Sequence, residues 1–416
     1  MKLHLSGPPS SLINADIGIT GSKSESNRLL LLQALYPNLQ IQNLSNADDV
    51  LAMAKGLATS TGVVDIHHAG TAMRFLTAFF ATSEGKEVTL TGSSRMQERP
   101  IKVLVEALRS LGAEIRYEKE EGYPPLYIKG KEPKMHTVSL PANISSQYIS
   151  ALLLVAPGLS KGLELELVGK ITSVPYIRMT LSLLEQLGIA TSFKGNRITV
   201  APKKFIEPKT MVVESDWSSA SYFYSIIALS DPGSEIRLSS YKSDSLQGDR
   251  VLAEIYTQFG VTTEFQHHSI ILRKTTEALA MATTDKLLHL HLADAPDIAQ
   301  TIAVTCFGLG LGCHLTGLHT LKIKETDRLE ALKTELTKLG ARVQVTDKDL
   351  TLNAGGVMNK EVSIETYNDH RMAMAFAPLA LREPIVILDS GVVSKSYPDF
   401  WEDLARLKFR MATDIL

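Results

Sequence analysis

Hydrophobic and polar positions along the chain fall into two kinds of helical pattern. The first is amphipathic. Ile101, Leu104, Val105 and Leu108 follow the three-and-four spacing of one helical face, and Leu329, Leu332, Leu336 and Leu339 do the same. Four such segments end on an apolar residue followed by glycine, at Leu111-Gly112, Leu187-Gly188, Phe259-Gly260 and Leu339-Gly340. A glycine there suits a left-handed cap, after which the chain turns back into a strand, a polar turn and a second strand. These glycines stand 76, 72 and 80 residues apart. That period is too long for a solenoid and suits a small α/β unit packing one sheet on helices. A fifth copy is expected over Phe400 to Arg410, and a degraded one over Asp48 to Gly56.

The second pattern is apolar on most faces, as in Ile149 to Val155 and Tyr222 to Leu229, and predicts buried helices. Polar residues gather at the starts of these segments: Ser22-Lys23-Ser24, Gly70-Thr71, Ser145-Ser146-Gln147, Ser218-Ser219, Pro296-Asp297 and Asn368-Asp369-His370-Arg371. A helix N-terminus offers unpaired N–H groups and about half a positive charge, so several of them with Lys or Arg alongside would make an anion site. Plain N-capping by Ser and Asp, worth about 1 kcal/mol each, explains any single start equally well.

Composition bounds the function. A chain of 416 residues with 44% hydrophobic content exceeds what one core usually supports, so two domains are expected. The start has no apolar stretch of signal-peptide length and no later run approaches the roughly 18 apolar residues of a membrane span, so a cytoplasmic protein without a membrane partner is expected. Cys306 and Cys313 match neither a zinc nor a redox spacing and are expected to be reduced structural thiols. The 43 Lys and Arg balance 45 Asp and Glu, which leaves no basic field for nucleic acid.

Gly21-Ser22-Lys23-Ser24 has the end of a phosphate-binding loop but lacks its upstream glycine, and Gly308, Gly310 and Gly312 lead into no helix, so neither an ATP-dependent kinase nor a dinucleotide fold is implied. The eleven histidines show no metal spacing, and neighbouring His67 and His68 would point to opposite sides of a strand. No metal and no cofactor are expected.

The cations Lys23, Arg28, Arg99, Lys324, Arg328, Arg371 and Lys395 lie in short motifs rich in Ser, Thr, Asp or Glu. Set at the mouths of buried helices they need anionic partners, which substrates bearing phosphates and carboxylates would supply. Pro100, after Arg99, suits the first position of the following helix. Lys324-Glu325-Thr326-Asp327-Arg328 opens the helix running to Leu339; its acids suit the helix dipole, whereas Lys324 stands at the unfavourable end and calls for another partner. Asp297 reads equally as a cap and as a carboxylate able to accept a proton.

Six blocks taken together resemble one family. Gly21-Ser-Lys-Ser-Glu-Ser-Asn-Arg28, Ala69-Gly-Thr-Ala-Met-Arg74, Arg95-Met-Gln-Glu-Arg-Pro100, Ser145-Ser-Gln147, Lys324-Glu-Thr-Asp-Arg328 and Asn368-Asp-His-Arg371 are similar to the signature blocks of the 5-enolpyruvylshikimate-3-phosphate synthases, in the family's order and over nearly the whole chain. The resemblance implies a two-domain inside-out α/β barrel of six βαβαββ repeats, with the first repeat shortened because the stretch from Asp49 to Ala69 is brief. It implies one discontinuous domain of 1–20 and 215–416, a second of 21–214, and an active site in the cleft between them.

It further implies a monomer that transfers the enolpyruvyl group of phosphoenolpyruvate to the 5-hydroxyl of shikimate 3-phosphate, by addition and elimination through a tetrahedral adduct. Shikimate 3-phosphate would meet Lys23, Ser24, Arg28, Ser145, Ser146, Gln147, Ser173, Tyr176, Asp297 and Lys324. Phosphoenolpyruvate would meet Lys23, Gly70, Arg99, Gln147, Arg328, His370, Arg371 and Lys395. Asp297 is the expected base for the hydroxyl, Glu325 the acid and later base at C3, and Lys23 an aid to proton transfer. Glyphosate would occupy the phosphoenolpyruvate position beside Gly70.

His68, Phe75 and Thr320 depart from the family pattern, standing where Asn, Pro and Asn are usual. The sister transferase acting on a UDP-sugar would need a loop cysteine that neither Cys306 nor Cys313 matches, and an RNA 3′-terminal phosphate cyclase-like protein is disfavoured by the balanced charge.

Overall fold

The computed structural model describes residues 1–142, 145–169, 171–275 and 287–414. The chain divides into two compact units, one of residues 1–20 and 214–416 and one of residues 21–213. Glu214 belongs to the first, because its carboxylate is buried there. It accepts from Trp217 Nε1 at 2.8 Å, the Lys242 amide at 2.9 Å and the Ser245 hydroxyl at 2.6 Å.

The strands of the described residues form six sheets, and five of them repeat one plan. In the repeat of residues 61–129 the strand Thr61–Asp65 leads through the helix Gly70–Thr82 to the strand Glu87–Thr91, which runs parallel to it. The helix Lys102–Leu111 then leads into Glu114–Tyr117 and Leu126–Lys129, and this last strand inserts antiparallel between its predecessor and Glu87–Thr91. The repeats of 137–200 and 288–352 keep the same order.

The other two full sheets are completed from far along the chain. Leu3–Ser6 is the fourth strand of the sheet holding Ser363–Ile364, Ile385–Ile387 and Arg410–Thr413. Asn14–Ile17 pairs parallel with Glu235–Ser239, although unit two lies between them in sequence. The sixth sheet has two strands, Leu39–Gln42 and Lys209–Val212, paired in parallel. This is the shortened repeat: after the helix Asp48–Leu57 only residues 58–60 precede the next strand, too few for the missing hairpin.

The glycine caps form as the pattern predicts. Gly112, Gly188, Gly260 and Gly340 take φ of 105°, 72°, 78° and 99°. Ahead of Gly260, however, the expected helix is broken into short turns over 248–259. The last copy ends earlier than expected, as Phe400–Arg406, and Lys408 with φ 66° takes the left-handed position without glycine. Pro100 does not open the next helix, which starts at Lys102. Its carbonyl instead accepts from Arg74 Nη2 at 3.1 Å and Tyr148 Oη at 2.5 Å.

The apolar segments become the helices Lys23–Leu35, Gly70–Thr82 and Ser146–Val155 in unit two, which pack on one another. In unit one they are Trp217–Leu229, Ala299–Gly308 and His370–Phe376. Hydroxyls satisfied in pairs join the buried faces there: Ser221 to Thr301 at 3.0 Å, and Thr305 to Ser225 at 2.8 Å. Cys306 and Cys313 are free and buried.

Gly340 gives a stability test. An alanine there must hold φ 99° and bring Cβ to 2.7 Å from the Val357 carbonyl oxygen, whereas at Gly310, with φ 72°, nothing lies within 4 Å. We expect Gly340→Ala to lose about 2 kcal/mol or more and Gly310→Ala about 1 kcal/mol, read by urea denaturation.

Candidate active site

In unit two the starts of the three buried helices carry the predicted residues. Lys23 opens its helix, and its ammonium lies 3.2 Å from Asp49 Oδ2, a buried carboxylate in the first turn of Asp48–Leu57. Five residues on, Arg28 is 2% exposed and ties four helices together. Nε donates to Thr180 Oγ1 at 2.8 Å, Nη1 to the Ser24 carbonyl at 2.8 Å and Nη2 to Ser150 Oγ at 2.9 Å. Its guanidinium also stands 5.5 Å from the centre of the Phe75 ring and 5.9 Å from that of Tyr176. Burial lowers the Arg28 pKa to about 10, partly offset by Tyr176 and Glu25. Phe75 thus replaces the usual proline with a ring packed under a cation.

The helix start at Gly70 has no side-chain cap. A Cβ on Gly70 would stand 2.6 Å from Arg99 Nη1, so the Arg99 guanidinium lies against this glycine. Gln147 reaches the same place, donating from Nε2 to Thr71 Oγ1 at 3.2 Å, while Ser145 caps the helix that Ser146 opens by accepting from the Gln147 amide at 3.4 Å. Ser173 precedes the helix Val174–Gln186 with φ 53°, a left-handed conformation unusual for serine, and the Tyr176 amide donates to its carbonyl at 3.2 Å. Gly70, Arg99, Thr71 and Gln147 therefore meet, and Arg28 joins Ser24 to Tyr176.

His67 and His68 lie in a turn rather than a strand. His67 takes φ 52°, and the two rings stand 5.4 Å apart instead of on opposite faces. Among the described residues no cluster of His, Cys, Asp or Glu has metal-holding geometry.

Unit one gathers the remaining charges around one guanidinium. Arg328, 2% exposed, donates from Nε to Asp369 Oδ2 at 2.7 Å, from Nη1 to Asp297 Oδ1 at 2.9 Å and from Nη2 to Glu325 Oε2 at 2.9 Å. Asp297 also lies 3.3 Å from Lys324 Nζ and 3.5 Å from Arg371 Nη2, and Glu325 lies 2.9 Å from Lys395 Nζ. Lys324 thus finds the partner its position called for. His370 opens its helix beside Asp369 and is buried.

Asp297 makes no helix cap. Burial alone would raise its pKa, but Lys324, Arg371 and Arg328 outweigh that and hold the carboxyl well below its usual range. Burial lowers the Lys324 ammonium, with Asp297 opposing. The helix after Lys324 begins only at Arg328, where Asp327 accepts from the Leu329 and Glu330 amides at 3.1 and 3.3 Å. Glu325 is left outside the helix, where it pairs with Arg328 and Lys395.

A family model described as EPSP synthase (3-phosphoshikimate 1-carboxyvinyltransferase) matches residues 56–404. A protein of Bacteroides fragilis named 3-phosphoshikimate 1-carboxyvinyltransferase is 45% identical over 414 residues, 98% of each chain. This chain belongs to the EPSP synthase family. A Haemophilus influenzae EPSP synthase family protein of the same name is 35% identical, with 96% of this chain and 98% of that one covered. A solved Acinetobacter baumannii EPSP synthase shares the fold, with TM-score 0.79, 21% identity and coverage of 99% of this chain and all of that one. The enolpyruvyl transferase NikO from Streptomyces tendae superposes with TM-score 0.72 at 14% identity. EPSP synthase membership makes the chain a shikimate-pathway transferase, and neither the UDP-sugar enzyme nor the RNA cyclase is favoured. No helix among the described residues is long and apolar enough to cross a membrane.

Sequence reasoning left out several partners in these clusters. Asp49 stands out only as part of the degraded first copy and Thr71 only as a polar helix start, and neither reads as a partner of Lys23 or Gln147. Asp369, inside a motif singled out for its basic residues, both caps its helix and grips Arg328. The role of Asp369 shows only in the environment of Arg328, where its carboxylate joins those of Asp297 and Glu325 from segments 28 and more residues apart in sequence.

Removing the guanidinium would strand three carboxylates. We expect Arg328→Met to lose about 3 kcal/mol or more of stability by urea denaturation, and Arg328→Lys to restore little of it, because one ammonium cannot reproduce the fork.

Proposed function

We propose that the chain transfers the enolpyruvyl group of phosphoenolpyruvate to the 5-hydroxyl of shikimate 3-phosphate and releases phosphate, acting as a cytoplasmic monomer. The observation that carries this reading is Asp297: a carboxylate kept ionised by Lys324, Arg328 and Arg371, in a family whose relatives carry the matching name.

In this reading the 5-hydroxyl oxygen adds to C2 of phosphoenolpyruvate as its proton passes to Asp297 and C3 takes a proton from Glu325. The C2–O bond to phosphate then breaks as Glu325 recovers a proton from C3. A carboxylate gripped by three cations is a weak base. Substrate anions drawing Lys324 and Arg371 to themselves would loosen that grip and raise the basicity of Asp297 when it is needed. Lys395 beside Glu325 is placed to tune the second carboxyl in the same way.

Lys23, Ser24, Arg28, Ser145, Ser146, Gln147, Ser173, Tyr176, Asp297 and Lys324 are assigned to shikimate 3-phosphate. Lys23, Gly70, Arg99, Gln147, Arg328, His370, Arg371 and Lys395 are assigned to phosphoenolpyruvate. Arg28, Arg328 and His370 are almost fully enclosed in the structure, so the contribution of the two arginines is largely to hold neighbouring groups in place.

Phosphate release from phosphoenolpyruvate with shikimate 3-phosphate, against a UDP-sugar control, tests the reading directly; release with the UDP-sugar alone would overturn it. We expect Lys23→Met and Glu325→Gln to abolish turnover with an unchanged circular dichroism spectrum. Asp297→Asn should lose kcat far more than affinity. Gly70→Ala would push the Arg99 guanidinium aside, so we expect the KM for phosphoenolpyruvate to rise about tenfold, with glyphosate inhibition weakened at least as much.

A further inference from the structure

Asp249 lies in the short turn Gly248–Val251 and is buried. Oδ2 accepts a hydrogen bond from the Ser218 hydroxyl, while Oδ1 is buried with no hydrogen-bond partner among the described residues. Ser218 stands in the first turn of Trp217–Leu229, and its oxygen accepts from Arg371 Nη2 at 3.2 Å. On its other side Arg371 is held by Asp297, with Nη1 3.3 Å from the carbonyl oxygen and Nη2 3.5 Å from Oδ2.

A serine hydroxyl has one proton to give. Given to Asp249, it leaves the lone pairs of Ser218 facing Arg371, so Asp249 decides which way the hydroxyl points. A neutral amide could accept that proton equally well, and a buried carboxylate with an unpaired oxygen is costly. Packing therefore gives no reason for an acid here, whereas a role toward the neighbouring cation does.

We propose that Asp249 is a positioning residue for Arg371, orienting it through the Ser218 hydroxyl and offsetting its charge until an anionic substrate arrives. The proposal rests on the assignment of Arg371 to phosphoenolpyruvate. The charged groups facing Asp249 are Asp297, Arg371 and Asp216, the last being the cap of the helix that carries Ser218. Burial first, and Asp297 after it, push the Asp249 carboxyl up to about 7, against the pull of Arg371 and the Ser218 hydrogen bond. Near neutral pH the residue is divided between its two forms. An anion at Arg371 favours the neutral form, and by linkage ionised Asp249 weakens anion binding.

The KM for phosphoenolpyruvate of the wild type and of Asp249→Asn, measured across the neutral range with shikimate 3-phosphate saturating, tests this. Titration of the substrate phosphate is common to both enzymes and cancels in the ratio. We expect the ratio of wild-type to variant KM to stay near one in acid and to rise about three- to tenfold as pH passes about 7. Asp249→Ala, which frees Ser218 as well, should raise KM at every pH.

A second readout needs no substrate. A carboxyl whose folded pKa is raised contributes stability that is full below its unfolded value and lost as pH rises through about 7, so the melting temperature of Asp249→Asn should pull ahead of the wild type between about pH 5 and about pH 8. A flat KM ratio, or a melting difference independent of pH, overturns the proposal alone. Arg371→Gln with an unchanged KM for phosphoenolpyruvate overturns the underlying assignment, and the proposal with it, while the melting difference still reports whether Asp249 titrates.

Discussion

A helix that is apolar on every side has no face to turn toward water, so it must be enclosed along its length and can meet a polar environment only at its ends. Gly70–Thr82 and Trp217–Leu229 are of this kind, buried at nearly every residue. The sheets and amphipathic helices of each unit serve as their enclosure. Once that is imposed, polar chemistry is confined to the first turns and to the loops beside them. Every site assignment made above, from Lys23 and Gly70 to Asp297 and Arg371, lies at such an end or in a segment packed against one.

Charge follows from the same confinement. A cation near a buried end is poorly solvated, and here the protein itself supplies most of the counterions: Asp49 for Lys23, Asp297 for Lys324 and Arg371, Glu325 for Lys395, and three carboxylates for Arg328. The expectation that substrate anions alone would satisfy these cations is therefore incomplete. The internal pairs keep the cations ordered and compensated within the protein.

Much of this was legible in the chain. The left-handed glycines announced the repeats, and the all-apolar segments with polar starts announced both the buried helices and the place of the chemistry. What stayed hidden depended on contacts between distant segments. Nothing local distinguishes Asp49 or Asp249 from a solvated surface acid. Phe75 appeared only as a missing proline until its ring was seen beneath the Arg28 guanidinium. Lys408 shows the converse limit, since a turn usually marked by glycine was closed by a residue that carries no such signal.

The way the repeats are closed bears on the order in which the molecule can be made. Unit two is continuous in sequence, and its last strand, Lys209–Val212, pairs back to Leu39–Gln42, so on a ribosome it is finished once residue 213 has emerged. Leu3–Ser6 is made before unit two, whereas its neighbours Ile385–Ile387 and Arg410–Thr413 are made after it. Until those strands are made Leu3–Ser6 is an unpaired edge, and this sheet of unit one closes only after unit two is complete.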